Sequence, residues 1–320
     1  MDPFGRTIDY LRISVTDRCN ERCLYCMPGG YRGWGQKESH LTPGEIARIV
    51  EAAVGAGFRK FRLTGGEPLL RRDIVEIASG IQKVPGVEWL ALSTNGILLA
   101  PLAEELRAAG ISSVNISLDA LSPETYRKIT GGPVEKVLEG IHAAQAVGFP
   151  SIKLNCVLMR GINEGEIWPL VEFAAGHGLP LRFIELMPLT RTDVLNGENF
   201  FPVAEAESLL SRRDTLVPHG EKLGNGPARY RRLEKTGAVV GFIGAITAPD
   251  FCESCNKVRL TPDGKLRPCL GRHGELDLLP ALRNGGDLAA LFQETVANKP
   301  KDHGFSESYK PGRPMTAIGG

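Results

Sequence analysis

The chain lacks a long uncharged apolar run, and its start, Met1-Asp2-Pro3-Phe4-Gly5-Arg6, lacks a basic stretch followed by an apolar core. Neither a membrane-spanning helix nor a secretory leader is expected, and the protein reads as soluble and cytoplasmic. It also lacks an excess of either charge, with 38 Lys and Arg against 37 Asp and Glu. That balance excludes a broad nucleic-acid or membrane footprint, so any anionic ligand must be met by local clusters. No G-x-x-x-x-G-K-[ST] occurs, so a phosphate group has no P-loop to rest in and must be held by scattered side chains. Finally, the seven cysteines do not pair. They fall at 19, 23, 26, 156, 252, 255 and 269, two triplets and a singleton, which points to metal ligation in a reducing compartment rather than to disulfides. Cys156, alone in an apolar stretch, reads as a core thiol.

From residue 8 to about 187, short β-branched runs alternate with amphipathic stretches. Strands are expected over 8–15, 60–64, 89–94, 113–118, 152–158 and 181–186, and helices over 43–56, 73–82, 100–109, 134–147 and 164–177. Thr42-Pro43-Gly44-Glu45 opens the first helix with an N-cap threonine, a proline at the first helical position and a glutamate placed to reach back, a capping box. Gly55, Gly57, Gly110, Gly148 and Gly178 read as left-handed helix ends. Six βα units imply a parallel sheet with helices outside it. A polar or glycine-rich element follows the strands, among them Thr16-Asp17-Arg18, Gly65-Gly66-Glu67-Pro68, Asn95-Gly96, Asp119 and Met187-Pro188. Ligands gather at the carboxyl ends of parallel strands, so one mouth of this sheet is the expected active face. Beyond Met187 the alternation breaks down, through a Pro/Gly-rich stretch over 216–228, into a strand-like run over 238–247 and the second triplet. A boundary near 190 is expected, with a core over 1–190 and an extension over 191–320 packed on the sheet.

The first triplet is Cys19-Asn20-Glu21-Arg22-Cys23-Leu24-Tyr25-Cys26, a C-x3-C-x2-C run in a loop after the first strand. Three thiolates can hold three irons of a [4Fe-4S] cluster and leave the fourth open to a ligand, whereas an electron-transfer cluster normally takes four. A structural zinc site would want a fourth ligand, and the nearest histidine is His40. The second triplet, Cys252-Glu253-Ser254-Cys255 with Cys269, is followed by His273, so a Cys3His zinc ribbon competes with a second cluster. Arg12 and Arg62 interrupt apolar strands, where an unpaired cation is costly. With Lys153, Lys257 and Arg259 they supply the cations a polyphosphate needs. Lys299-Pro300-Lys301-Asp302-His303 reads as a solvated loop.

The C-x3-C-x2-C spacing, with an aromatic residue before its last cysteine, resembles the signature of the radical S-adenosylmethionine (SAM) superfamily. Leu11-Arg12-Ile13-Ser14, Arg62 to Pro68, Thr94-Asn95-Gly96, Asn115 to Ala120, the second triplet and Gly319-Gly320 follow in order. This set is similar over essentially the whole chain to the GTP 3′,8-cyclases, the radical SAM enzymes that begin molybdenum-cofactor biosynthesis. The resemblance implies a partial, six-unit TIM-type barrel whose C-terminal extension closes the lateral opening and carries the second cluster. It implies two [4Fe-4S] clusters, one on Cys19, Cys23 and Cys26, the other on Cys252, Cys255 and Cys269 with an iron left for guanine. Tyr25, Gly66, Glu67, Ser117 and Met187 would line the SAM site, Gly66 and Glu67 near its amino group. Arg12, Arg62, Thr94, Lys153, Lys257 and Arg259 would contact GTP. Lys257 stands where many members have arginine, which keeps the charge without the bidentate fork. The reaction implied is reductive cleavage of SAM, abstraction of the ribose 3′ hydrogen of GTP by the 5′-deoxyadenosyl radical, and closure of C3′ on guanine C8. Gly319 and Gly320 are expected to enter the barrel mouth and help place substrate. Implied partners are a reductant such as flavodoxin and a downstream cyclic pyranopterin monophosphate synthase. A homodimer is left open, and nucleic acid and membrane are not expected. The rival is another two-cluster radical SAM enzyme, such as a peptide-modifying maturase.

Overall fold

The computed structural model describes residues 1–27, 40–189, 197–221, 223–305, 309 and 312–319. Six parallel strands follow one another in chain order: β1 (Tyr10–Ser14), β2 (Lys60–Thr64), β3 (Trp89–Thr94), β4 (Ser113–Ser117), β5 (Ser151–Leu158) and β6 (Leu181–Glu185). The helices between them are α1 (Pro43–Gly55), α2 (Ile74–Gln82), α3 (Leu99–Ala108), α4 (Pro123–Thr130), α5 (Val134–Val147) and α6 (Ile167–Gly176). This is the expected partial barrel, with one helix more than the sequence suggested. α4 is short and mostly polar, so its apolar face, Tyr126 and Ile129, spans too few residues to stand out.

The helices form because their apolar positions repeat at helical spacing. In α1, Ile46, Ile49, Val50 and Ala53 are buried, and in α2 Ile74, Ile77, Ala78 and Ile81 are. Each such Ile or Val contributes about 1.5–3 kcal/mol on burial, so a charge at Ile49 would unseat α1. The capping box is in place: Glu45 N–H donates to Thr42 Oγ1 at 3.2 Å, and Thr42 N–H to Glu45 Oε2 at 2.9 Å. Gly55 is the exception among the expected helix ends, since it closes α1 itself and Ala56 takes the cap.

The extension does more than pack on the sheet. It adds α7 (Val203–Ser211), β7 (Leu216–Pro218), β8 (Arg229–Leu233), β9 (Val239–Ile243), β10 (Lys257–Leu260), β11 (Lys265–Arg267), β12 (Leu276–Asp277), α8 (Leu279–Asn284) and α9 (Leu288–Ala297). β10 pairs parallel with β1 at one edge, and β9 pairs parallel with β6 at the other. The sheet runs β12-β11-β10-β1-β2-β3-β4-β5-β6-β9-β8-β7, curved and not closed. Glu185, at the end of β6, is fully buried and ties the extension down, accepting from Val203 N–H, Ile246 N–H, Thr247 N–H and the Thr247 hydroxyl. Among the described residues no helix is long and apolar enough to cross a membrane.

Strand alternation separates two chemistries. Leu11, Ile13, Phe61, Leu63, Val114, Ile116, Leu154 and Phe183 face the helices as core, while the residues between them face the concave side. Arg12, Arg62, Asn115, Lys153, Arg182 and Arg259 therefore share the inner face.

Candidate active site

One cavity on the concave side is lined by all six cysteines of the two triplets, which the chain holds 226 residues or more apart (Cys26 to Cys252). None is in a disulfide. His273 is not in that wall but stacks on Tyr309, ring centroids 5.2 Å apart and 10° from parallel. The histidine that the zinc-ribbon alternative named is therefore not in the wall beside the three cysteines, where His303 stands instead.

The first triplet sits in a loop braced from three sides. Arg22 N–H and Leu24 N–H donate to the Thr130 and Ile129 carbonyls at the end of α4, at 2.7 and 2.9 Å. Tyr126 donates its hydroxyl to Glu21 at 2.9 Å, and Asn95 donates to Asn20 Oδ1 at 2.8 Å. Beneath the loop run Gly65 and Gly66, with Gly66 N–H donating to the Thr16 carbonyl at 2.8 Å and Glu67 N–H to the Arg18 carbonyl at 2.7 Å. A Cβ on Gly66 would stand 2.3 Å from the Arg18 carbonyl oxygen, so only glycine permits this approach.

Of the residues expected around SAM, Tyr25, Gly66, Ser117 and Met187 line the cavity. Glu67 does not. Its carboxylate accepts from Leu69 N–H, the Thr94 hydroxyl and Asn95 N–H at 2.7–2.9 Å, binding the end of β2 to the end of β3. Burial pushes it up to about 7 despite those three bonds. Thr94, expected on GTP, lines the cavity but gives its hydroxyl to Glu67. Asp119, which the sequence flagged at a strand end and in the motif from Asn115 to Ala120 without assigning it a role, accepts from Tyr25 Oη at 2.7 Å and from Val157 N–H at 2.7 Å, and burial raises it to about 6.

The donor set fits a [4Fe-4S] cluster with an open iron: three thiols facing one cavity, with no fourth cysteine beside them. Burial, with Glu67 and Glu21 nearby, pushes Cys19 up to about 12, and burial with Cys19 and Glu21 does the same to Cys26. Arg22 offsets only part of that rise at Cys19, and bound irons would supply the rest of the positive charge that the thiolates need.

The cations lie at the other end. Strand register places Arg259, Arg12 and Arg62 side by side across β10, β1 and β2. Like charges directly opposite on adjacent strands repel. Desolvation lowers Arg12 well below its ordinary value, and Arg259, Arg62 and Arg182 push the same way. Arg62 is held by Tyr10 Oη at 2.5 Å and the Leu92 carbonyl at 2.9 Å, and lies over the Trp89 ring. Across the mouth, burial, then Arg182 and Arg62, brings Lys153 down to about 8. Lys257 is likewise near 8, through burial first, and lies over the Tyr10 ring.

Two cations escaped the sequence reading. Arg182 lines the cavity from β6, donating to Asn155 Oδ1 at 2.8 Å. It interrupts the apolar run of β6 as Arg12 and Arg62 interrupt theirs, so the signal was present. Lys299, read as part of a solvated loop, is 3 % exposed. Its ammonium donates to the Lys257 and Pro268 carbonyls at 2.8 and 2.5 Å, bracing the second triplet. Arg6 completes that brace through the carbonyls of Cys252, Pro300 and Lys301. Only the partners in space reveal either role.

Gly319 reaches the barrel mouth. Arg259 donates to its carbonyl, and at φ +82° a Cβ there would meet Thr64 Cγ2 at 2.8 Å and Ser14 Cβ at 3.0 Å. Gly320 lies outside the described residues.

Comparison with known proteins agrees with this arrangement. The radical SAM superfamily matches residues 13–174, and the family described as Molybdenum Cofactor Synthesis C matches residues 179–305. A relative from Moorella thermoacetica named GTP 3′,8-cyclase is 43 % identical over 323 residues, covering 100 % of this chain and 99 % of its own. A Pseudomonas aeruginosa relative named GTP 3′,8-cyclase 1 is 45 % identical, covering 96 % and 94 %. Among solved structures, Streptococcus suis SuiB, bound there to S-adenosylmethionine, superposes with a TM-score of 0.64 at 14 % identity, over 90 % of this chain and 66 % of its own, a likeness of fold. The chain belongs to the radical SAM superfamily and, within it, to the family of the GTP 3′,8-cyclases.

Proposed function

We propose that this protein is a GTP 3′,8-cyclase, acting in the first step of molybdenum-cofactor biosynthesis, with a second [4Fe-4S] cluster on Cys252, Cys255 and Cys269. The observation that carries the reading is the electrostatic division of one cavity. Acidic Glu21 and Asp119 act on the first triplet, Lys257 and Arg259 act on the second, and Arg12, Arg62, Lys153 and Arg182 join those two cations in the cavity wall. SAM brings a sulfonium and an ammonium; GTP brings a triphosphate. The two ends sort the two ligands by charge.

A reduced cluster held by Cys19, Cys23 and Cys26, with SAM bound, would supply the 5′-deoxyadenosyl radical that the removal of the ribose 3′ hydrogen of GTP requires. The protein's own residues position and shield. The α4 brace and the Gly65–Gly66 backbone fix the first loop, Tyr25 is oriented by Asp119, and Ser117 and Met187 close the wall. The arginine rank takes the triphosphate, and relief of its mutual repulsion adds to affinity. Gly319 encloses the substrate from the mouth. Partners that follow are a one-electron reductant such as flavodoxin and the synthase that uses the cyclised product. The test is anaerobic incubation of reconstituted protein with SAM, reductant and GTP, followed by mass analysis. Cyclised dihydro-GTP is expected, and 5′-deoxyadenosine formed without conversion of GTP would overturn the assignment.

A further inference from the structure

Far along the chain from both triplets, on the outer helical layer, two of the six histidines converge. His142, within α5, and His177, capping α6, bring their Nε2 atoms to 3.3 Å, with ring centroids 5.4 Å apart. His177 is fixed. Its Nδ1 lies 2.8 Å from the Phe173 carbonyl oxygen, the Phe173 ring packs on it at 4.1 Å, and Gln145 donates to its backbone carbonyl at 2.9 Å. A carbonyl only accepts, so Nδ1 carries the proton and the neutral ring turns the lone pair of Nε2 toward His142.

From this pair the geometry points to a surface site for a divalent transition-metal ion of the zinc type, chelated by His142 Nε2 and His177 Nε2 with water in its remaining positions. Two nitrogens at 2.0–2.1 Å from a tetrahedral ion stand about 3.3–3.4 Å apart, the separation found. An Nδ1–H given to a backbone carbonyl is the second-shell contact that metal-bound histidines usually make, fixing the tautomer that ligates. His177 also caps the C-terminal end of α6, where the helix dipole favours a cation. No third His, Cys, Asp or Glu among the described residues joins them, so the site is a two-point clamp, open to solvent, joining α5 to α6.

The test uses reconstituted protein, the six thiols of the two triplets occupied by iron, titrated anaerobically with Zn2+ alone. Wild-type protein is expected to bind one ion in a shell of nitrogen and oxygen by zinc-edge absorption spectroscopy, and to melt at a higher temperature when it does. His142→Ala, at an exposed position, should melt as wild type without zinc, bind it at least about tenfold more weakly, the scale of even an outer-shell loss, and show no zinc-dependent rise. Equal affinity in wild type and His142→Ala, no uptake by wild type, or sulfur in the zinc shell would each overturn the site.

Discussion

The two cysteine triplets open on the same cavity, yet their surroundings have opposite charge. Around Cys19, Cys23 and Cys26 stand Glu21, Glu67 and Asp119, and after burial it is these carboxylates that raise the thiols further. Around Cys255, burial is outweighed by Lys299 and Lys257, and that thiol falls below its ordinary value, whereas Cys252, at the edge of the basic cluster, is raised by burial. A loop that only had to hold iron would gain nothing from carboxylates. Their presence suits a site that also receives the cationic end of SAM, and the lysines suit one that receives a polyanion.

The sharpest way to break this comparison is to remove one triplet at a time. Serine at Cys19, Cys23 or Cys26 should abolish 5′-deoxyadenosine formation altogether. Serine at Cys252, Cys255 and Cys269 together should halve the iron content and stop GTP conversion while reductive SAM cleavage continues. Undiminished cyclisation in the second variant would show that the triplets are not specialised.

Next in size is the tail, whose Gly319 carbonyl accepts from Arg259. Deleting Gly319 and Gly320 should leave both clusters and SAM cleavage intact and block conversion of GTP, read by product mass. Gly319→Val should approach the same result, because its backbone lies in the left-handed region and its Cβ has no room between Thr64 and Ser14. Cyclisation at the full-length rate would make the contact with Arg259 incidental.

How much of this was legible in the residues differs between the same two regions. All six parallel strands were readable, because each is a short β-branched run closed by a turn signal, and so was the first triplet, whose spacing is local. α4 was not, although it braces that triplet: its amphipathicity spans only eight residues, with Tyr126, Ile129 and Thr130 as its buried face. At the basic end, β9 and β10 join the core only through pairing with β6 and β1 across long stretches of chain, and no periodicity announces a partner. Lys299 looked like any surface lysine because its carbonyl acceptors come from other segments. Arg182 could have been found by the rule that picked out Arg12 and Arg62.

A smaller effect sharpens the charge contrast. Arg259 is 7 % exposed, and Arg259→Ala should weaken GTP binding by about 1.5–3 kcal/mol, the scale of a charged hydrogen bond, with SAM affinity unchanged. Calorimetry with each ligand would show it, and an equal loss for both would mean general damage to the cavity.

The smallest expected effect is a pH dependence at the basic end alone. Lys153 sits at about 8 in the ligand-free protein, brought down from 10.5 by burial and then by Arg182 and Arg62. Its folded value lies below its unfolded one, so the unfolded chain binds more protons between them. The lysine therefore costs stability in full below about pH 8, and the cost fades as pH rises toward 10.5. Binding has the opposite sign. A phosphate beside Lys153 favours its charged form, so above pH 8 GTP must bring a proton with it, and affinity should fall by up to about tenfold per pH unit. Lys153→Arg, charged throughout that range, should flatten the slope, while SAM affinity should follow neither change. GTP titrations between pH 7 and 9.5 on both proteins decide it: the same slope in wild type and Lys153→Arg would place the proton on another group and remove Lys153 from the phosphate site.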